Sequence, residues 1–167
     1  MAFEKIGTIN VDSSLPTSLT FTAIPTDAKD LYLKFSLRTN TATLDHSISF
    51  ILNGSSAGFE LISLWAISSS SYATSETDNF LNNHRPANGN NVVANAFSNG
   101  EFKIYDYAST TTRKHWDLDS HNADNDTGRR CGFTSGRWDN TAAITEVTLS
   151  NGNGFKEFSS VSLYKVY

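Results

Sequence analysis

The chain has a single cysteine, Cys131, so it cannot close a disulfide on itself. A small secreted scaffold built on cross-links is therefore excluded, although the compartment is not fixed by this alone. Charge is also sparse: 18% of residues are Asp, Glu, Lys or Arg, and the formal net charge is −4. That balance argues against a surface made to follow a phosphate backbone, so no nucleic-acid partner is expected. No apolar run is long enough to span a membrane, and Met1–Asn10 carries Glu4 and Lys5 where a secretion signal would be oily. Membrane insertion is not expected. Heptads, internal repeats and linkers are missing too, which leaves one domain over residues 1–167. A chain of this length buries roughly 70% of its unfolded surface, so a real core needs no staples.

What is present is Ser, Thr, Asn and Gly, the residues of turns and of outward strand faces. The clearest element is Asp30–Arg38. Leu31, Leu33, Phe35 and Leu37 alternate there with Tyr32, Lys34, Ser36 and Arg38. Successive strand side chains point to opposite faces, so this is a ribbon with one oily and one wet side. Its expected partner is His46–Asn53, where Ile48, Phe50 and Leu52 share a face.

Further strands are expected over Ala2–Val11, Ser18–Ile24, Phe59–Ile67, Thr111–Leu118, Arg130–Trp138, Ala142–Leu149 and Val161–Tyr167. Phe59–Ile67 is apolar at both parities, which suits a buried strand, with a short helix as the alternative that pattern alone leaves open. Asn53-Gly54 and Asn151-Gly152-Asn153-Gly154 read as turns. Val92–Phe97, Asn99-Gly100 and Glu101–Tyr107 read as a hairpin. Ser68–Asn91 is the longest irregular stretch, a length typical of a binding or contact loop. Ser120–Gly128 reads as a polar loop. Many short strands with regular turn signals imply an all-β fold, an antiparallel β-sandwich of jelly-roll type.

The most chemically suggestive run is Asp117 to Asp126. Asp117 and Asp119 share a strand face, and Asp124 and Asp126 lie in the loop behind them. Hard cations favour such oxygen-rich clusters, so calcium is the one cofactor to weigh. The EF-hand pattern fails, because Asn122 replaces its turn glycine and Gly128 its closing glutamate. A solvated acidic loop is the plainer reading, and no cofactor is expected.

His46, His84, His115 and His121 lack the spacing and the cysteine partners of a zinc site. No nucleophile–base grouping can be named, so catalysis is not expected. Cys131, beside Arg130, is either a thiol made acidic by cationic neighbours or a small buried hydrophobe. Trp65, Tyr72, Trp116 and Trp138 lie beside loops or in ambiguous strands. Trp65 and Trp138 read as core. Tyr72, His84 and Trp116 are the candidate contacts for a glycan or a partner, since sugar rings stack on aromatic faces; for Trp116, core is an equal alternative.

Several motifs occur in order along the chain. They are Thr20-Phe21-Thr22-Ala23-Ile24-Pro25, then Leu31-Tyr32-Leu33 with Arg38, then Asn53-Gly54. They continue with Ile104-Tyr105-Asp106-Tyr107-Ala108-Ser109-Thr110, Trp138, Thr141-Ala142-Ala143-Ile144-Thr145, Phe155 and Ser162-Leu163-Tyr164. Together they resemble a family of tailed-phage virion proteins. Phe158 and Lys165 depart from it, standing where that ending usually carries glycine.

The resemblance implies a β-sandwich structural part of a bacteriophage virion, made in the host bacterial cytoplasm, with no catalytic residues. Its partners would be major capsid or tail proteins. A homotrimer is expected on a particle built with threefold sites. Capsid decoration is the leading placement. A tail adhesin binding host surface glycan and a cellular carbohydrate-binding module are the alternatives.

Overall fold

The computed structural model describes residues 2–67, 70–77, 85–123 and 129–167. The first strands are β1 (Phe3–Asn10), β2 (Ser18–Phe21), β3 (Asp30–Leu37), β4 (Asp45–His46) and β5 (Ser49–Leu52). Next come β6 (Phe59–Ile67), β7 (Ser70–Thr77), β8 (Ala87–Asn88) and β9 (Ser98–Ile104). The last are β10 (Lys114–Ala123), β11 (Arg129–Trp138), β12 (Val147–Ser150) and β13 (Ser160–Val166). An eight-stranded sheet runs in the order β1-β13-β3-β9-β10-β11-β6-β7, and a three-stranded sheet in the order β2-β12-β5. Strands β4 and β8 form a separate pair. The ladders within these sheets are antiparallel. The protein is an all-β sandwich of unequal layers, with the small sheet lying on the inner face of the large one. The jelly-roll winding is a finer statement than this strand order makes.

Strand β3 forms where the alternation placed it, with Leu31, Leu33, Phe35 and Leu37 all buried. Its ladder partners are β13 and β9, not the expected His46–Asn53 segment. That segment contributes β5 to the small sheet and meets β3 through side chains. The Phe50 ring lies 6.3 Å from Phe35 and 4.5 Å from Phe102, centroid to centroid. Alternation reveals which face of a strand is buried; it does not reveal whether two oily faces sit edge to edge or stacked.

The two Asn-Gly pairs behave differently. At Asn53-Gly54 both φ angles are positive, 49° and 75°, as a two-residue hairpin turn requires. Leu52 and Ser55 exchange backbone hydrogen bonds of 3.0 and 2.9 Å across it. The expected hairpin at Asn99-Gly100 does not exist; β9 runs straight through it. Gly100 is there for space. A Cβ at that position would stand 2.3 Å from the Phe35 ring and 2.6 Å from the Asp119 carbonyl oxygen.

Other boundaries move for equally local reasons. The expected loop Ser68–Asn91 contains strands β7 and β8. Strand β7 is built mostly from Ser, Thr and Ala on a sheet edge, a composition that reads as loop. Part of the expected loop Ser120–Gly128 belongs to β10, which continues to Ala123. The expected strand Ala142–Leu149 shrinks to β12. Its first half is held instead by Asn53, whose Oδ1 accepts from the Thr145 and Glu146 amides at 2.9 and 3.1 Å.

The core holds Trp116, Trp138, Phe59, Phe102, Phe155 and Tyr107 along with the aliphatic strand residues. Lys114 is also fully buried. Its ammonium donates to the carbonyl oxygens of Ser109, Thr112 and Thr141 at 2.6, 2.8 and 3.1 Å. Those three bonds match the donors an ammonium has, which is how a cation is tolerated there. Burial holds its pKa below the ordinary lysine range, opposed by Asp106.

Lys165 and Phe158, near the C-terminal strand, are accommodated in different ways. Lys165 donates to Asp27 Oδ1 and Oδ2 at 3.1 and 2.9 Å and pairs with Glu4 at 3.2 Å, tying β13 to β1. Phe158 keeps a left-handed backbone, φ 69°, with its ring 71% exposed.

Three substitutions test these statements. Gly100→Ala should cost about 1–3 kcal/mol in urea unfolding, because the added methyl overpacks the core. Gly152→Ala, with nothing within 4 Å of its new Cβ, should stay within about 0.5 kcal/mol of wild type. Phe158→Gly should stabilise the fold by about 1 kcal/mol in the same assay, since it relieves a left-handed residue and sacrifices little buried area.

Candidate functional site

Trp116 is core rather than contact. It is 1% exposed, and its ring meets Phe102 at 5.6 Å and Phe59 at 6.1 Å. Tyr72 is 47% exposed and stacks on Trp65, its cross-strand neighbour, at 4.1 Å and 18°. The Arg130 guanidinium lies 4.6 Å from the Trp65 ring centroid. Trp65 is thus the middle of a stack, half-buried rather than core, whereas Trp138 is buried as expected. His84, Asp124 and Asp126 lie outside the described residues.

Asp117 and Asp119 do share one face of β10, and each already has a neighbour. Tyr105 donates its hydroxyl to Asp117 at 2.6 Å. Burial, then that bond, push the Tyr105 pKa up to about 12. Asp119 lies 3.6 Å from His121. Among the described residues no group of three or more His, Cys, Asp or Glu side chains is placed to hold a metal ion. Cys131 is exposed, which overturns its reading as a small buried hydrophobe.

The outer face of the large sheet divides into two halves. The first half, over β13, β3, β9 and β10, is polar and pairs with itself. Lys34 and Glu101 form an ion pair at 3.3 Å, and the Lys103 ammonium sits 4.4 Å from the Tyr105 ring centroid. An open groove of about 590 Å³ crosses this half between Lys34, Asn99, Glu101, Asp119, His121 and Ser162. Exposed pairs of this kind contribute roughly 0–1 kcal/mol each and leave little charge unspent for a ligand.

The second half, over β11, β6 and β7, is mostly apolar, with one ion pair, Arg137 to Glu60 at 2.8 Å, at its margin. Ile62, Leu64 and Phe133 are 62%, 55% and 43% exposed. The ladder sets Leu64 beside Phe133 on one side and Ala73 on the other, and Ala66 beside Cys131. Directly opposed strand residues share a face with Cβ atoms roughly 5 Å apart, so these side chains form one contiguous patch. A shallow depression of about 590 Å³ lies among Leu64, Ala66, Ala73, Cys131 and Phe133, with Asp119 and His121 of β10 on its rim. Contiguous exposed apolar surface on a soluble domain marks an interaction site.

Sequence reasoning missed this patch, although its signal was there. Phe59–Ile67 is apolar at both parities, which reads as burial on both faces. Phe59 and Leu61 are indeed buried, whereas Ile62 and Leu64 face outward.

At the far end of the fold, Asp45 joins Arg85 at 2.9 Å and Arg130 at 3.1 Å. His46 lies beside this cluster. Burial, then the Arg85 charge, hold its pKa below the ordinary imidazole range, with Asp45 opposing.

No family model matches the chain, and neither a curated protein nor a solved structure matches it. Among the described residues, no helix is long and apolar enough to cross a membrane.

The His46 environment has a measurable consequence. Below its ordinary pKa the unfolded chain binds a proton that the folded chain resists, so stability falls as pH drops through about 6.5. The fall levels off once the pH passes below the folded-state value. Thermal melts between about pH 7.5 and 5 should show this decline, and His46→Gln should flatten that part of the profile.

Proposed function

We propose that this chain is a non-enzymatic structural module of a tailed-phage particle. It is held to a larger shell or tail protein through the apolar half of its outer sheet face. The observation that carries the reading is the patch of Ile62, Leu64 and Phe133, exposed on a rigid ladder. Side chains presented by a sheet lose little freedom when covered, so their burial converts efficiently into affinity. The ordered sequence resemblance supports a virion as the setting. The non-enzymatic reading is supported by the outer-face charges, which engage one another rather than converge on a common position.

Capsid decoration is the placement we favour, because a broad apolar patch suits a protein surface better than a sugar. A tail adhesin is the second reading, and the half-exposed Trp65–Tyr72 stack is the observation that favours it.

Labelling intact particles with antibody to this chain should mark heads. Label at tail tips would turn the assignment to the adhesin, and unlabelled particles would refute a virion role. Leu64→Asn and Phe133→Asn should each keep the wild-type fold by circular dichroism. Each should weaken binding to particles lacking the protein by about tenfold or more, given the roughly 1.5–3 kcal/mol that burial of such a side chain supplies.

A further inference from the structure

The large sheet ends in two edges that are treated very differently. At the β1 edge, Glu4 and Lys5 put charge on the strand, and the register with β13 slips between Lys5 and Gly7. Charge and a bulge are two of the means by which proteins stop an edge from pairing with another chain. The β7 edge has no bulge, and Glu76 near its end is its one charged residue. Its register with β6 is unbroken from Glu60↔Thr77 to Ile67↔Ser70. Its sequence, Ser70-Ser71-Tyr72-Ala73-Thr74-Ser75-Glu76-Thr77, contains no lysine, arginine or proline. Among the described residues no strand pairs with its free side.

We propose that β7 pairs antiparallel with β7 of a second copy of this chain, about a two-fold axis through Ala73, giving one continuous sheet across a dimer. The inference goes beyond docking on a particle and does not depend on it.

A strand's row of free amides and carbonyls is met best by another strand, and a two-fold meets both copies' rows at once. Opposed residues must share a face, which restricts the pairing to registers whose residue numbers sum to an even value. With Ala73 on the axis, Ser71 faces Ser75 of the partner subunit and Tyr72 faces Thr74 of the partner subunit, each pair occurring twice. Hydroxyl pairs and aromatic–β-branched pairs are favourable cross-strand neighbours. The outward side chains beside the axis, Ser71, Ala73 and Ser75 on β7 with Ile62, Leu64 and Ala66 on β6, are all uncharged, so like copies approach without repulsion. Dimerisation sets the two apolar strips side by side as one wider face. The β1 edge, charged and bulged, is unsuited to a head-to-tail ring, which is why a closed dimer is expected here in place of a trimer.

The test is solution mass by light scattering with sedimentation, on the full chain. Wild type should weigh twice the 18.3 kDa of one chain and dissociate on dilution. The double variant Ser71→Lys/Ser75→Lys sets like charges opposite each other and should be monomeric where wild type is dimeric. The swap Ser71→Lys/Ser75→Glu sets opposite charges across the same axis and should restore the dimer. Circular dichroism should show the wild-type strand signal in both variants.

A wild-type monomer at all concentrations, or a threefold mass, would overturn the proposal. So would a double-lysine variant that stays dimeric, or a folded swap variant that stays monomeric. Should the double-lysine variant fail to fold, the swap variant decides by the same criterion. Particle labelling is a separate readout, so a missing dimer and a missing virion role are told apart.

Discussion

The Phe50 ring is inserted between Phe35 and Phe102, and the rest of the sandwich depends on that contact. It is where the small sheet is fastened to the middle of the large one. Phe35 and Phe102 stand on neighbouring strands, β3 and β9, so a single ring from β5 engages both. Close approach is possible because Gly100 leaves room under the Phe35 ring. Each such side chain contributes roughly 1.5–3 kcal/mol on burial, and offset or tilted ring contacts add to that. Fixing this contact fixes the stagger of the two sheets. The remaining aromatic residues then follow in sequence along the core, from Phe102 to Trp116, to Phe59 and on to Trp138.

The sandwich is closed at its ends by buried polar groups rather than by more apolar surface. Lys114 gathers three loop carbonyls at one end. Arg38 donates to the carbonyls of Asn90 and Val92 at 3.3 and 3.1 Å, and Asn122 to those of Arg85 and Ala87 at 2.6 and 3.2 Å. In each case a residue in a long strand, or just past its end, uses its side chain to satisfy backbone carbonyls of a connecting segment or of the short strand β8. Loops stay wet or must find such partners, because an unpaired buried carbonyl costs on the order of 1–3 kcal/mol. These donors act as anchors, with long side chains reaching where no ladder can. The polar cost of a fold with long connections is met by a few well-placed cations and amides.

What the sequence disclosed depended on how far its signals reach. Alternation is local, so β3, β11 and β13 were readable almost to the residue. Asn53-Gly54 was readable because its turn needs positive φ at both positions. Asn99-Gly100 looked identical and was not a turn, because its glycine answers to Phe35, 65 positions earlier, by close packing rather than by conformation. Strand β7 was hidden because an edge strand of Ser, Thr and Ala has no oily parity to display. Trp116 and Tyr72 carried the same aromatic signal, yet one is core and the other half-exposed. Only their places in the sheet, inner central strand against outer edge strand, separate them. The outward apolar patch was written in Phe59–Ile67 all along. A strand oily at both parities is buried twice within its own fold, or once there and once against something else.

That last distinction bears on what the molecule is for. The large sheet gathers its outward apolar side chains over one half of its outer face, with the Glu60–Arg137 pair at the margin, and the other half is polar and engages itself. The half that is left apolar is the half that ends in an unguarded edge. Either feature alone would be a liability, since open edges and oily faces both invite indiscriminate association. Their coincidence at one end of the sheet, with the bulge and the lysine at the opposite edge, is hard to obtain by neglect. Guarding β1 while leaving β7 open biases association toward one geometry. A face flanked by self-neutralised charge then admits an apolar surface without attracting charged ones. Under the proposed reading, the open hydrogen-bonding edge and the apolar face lie together on the side where a partner would be received.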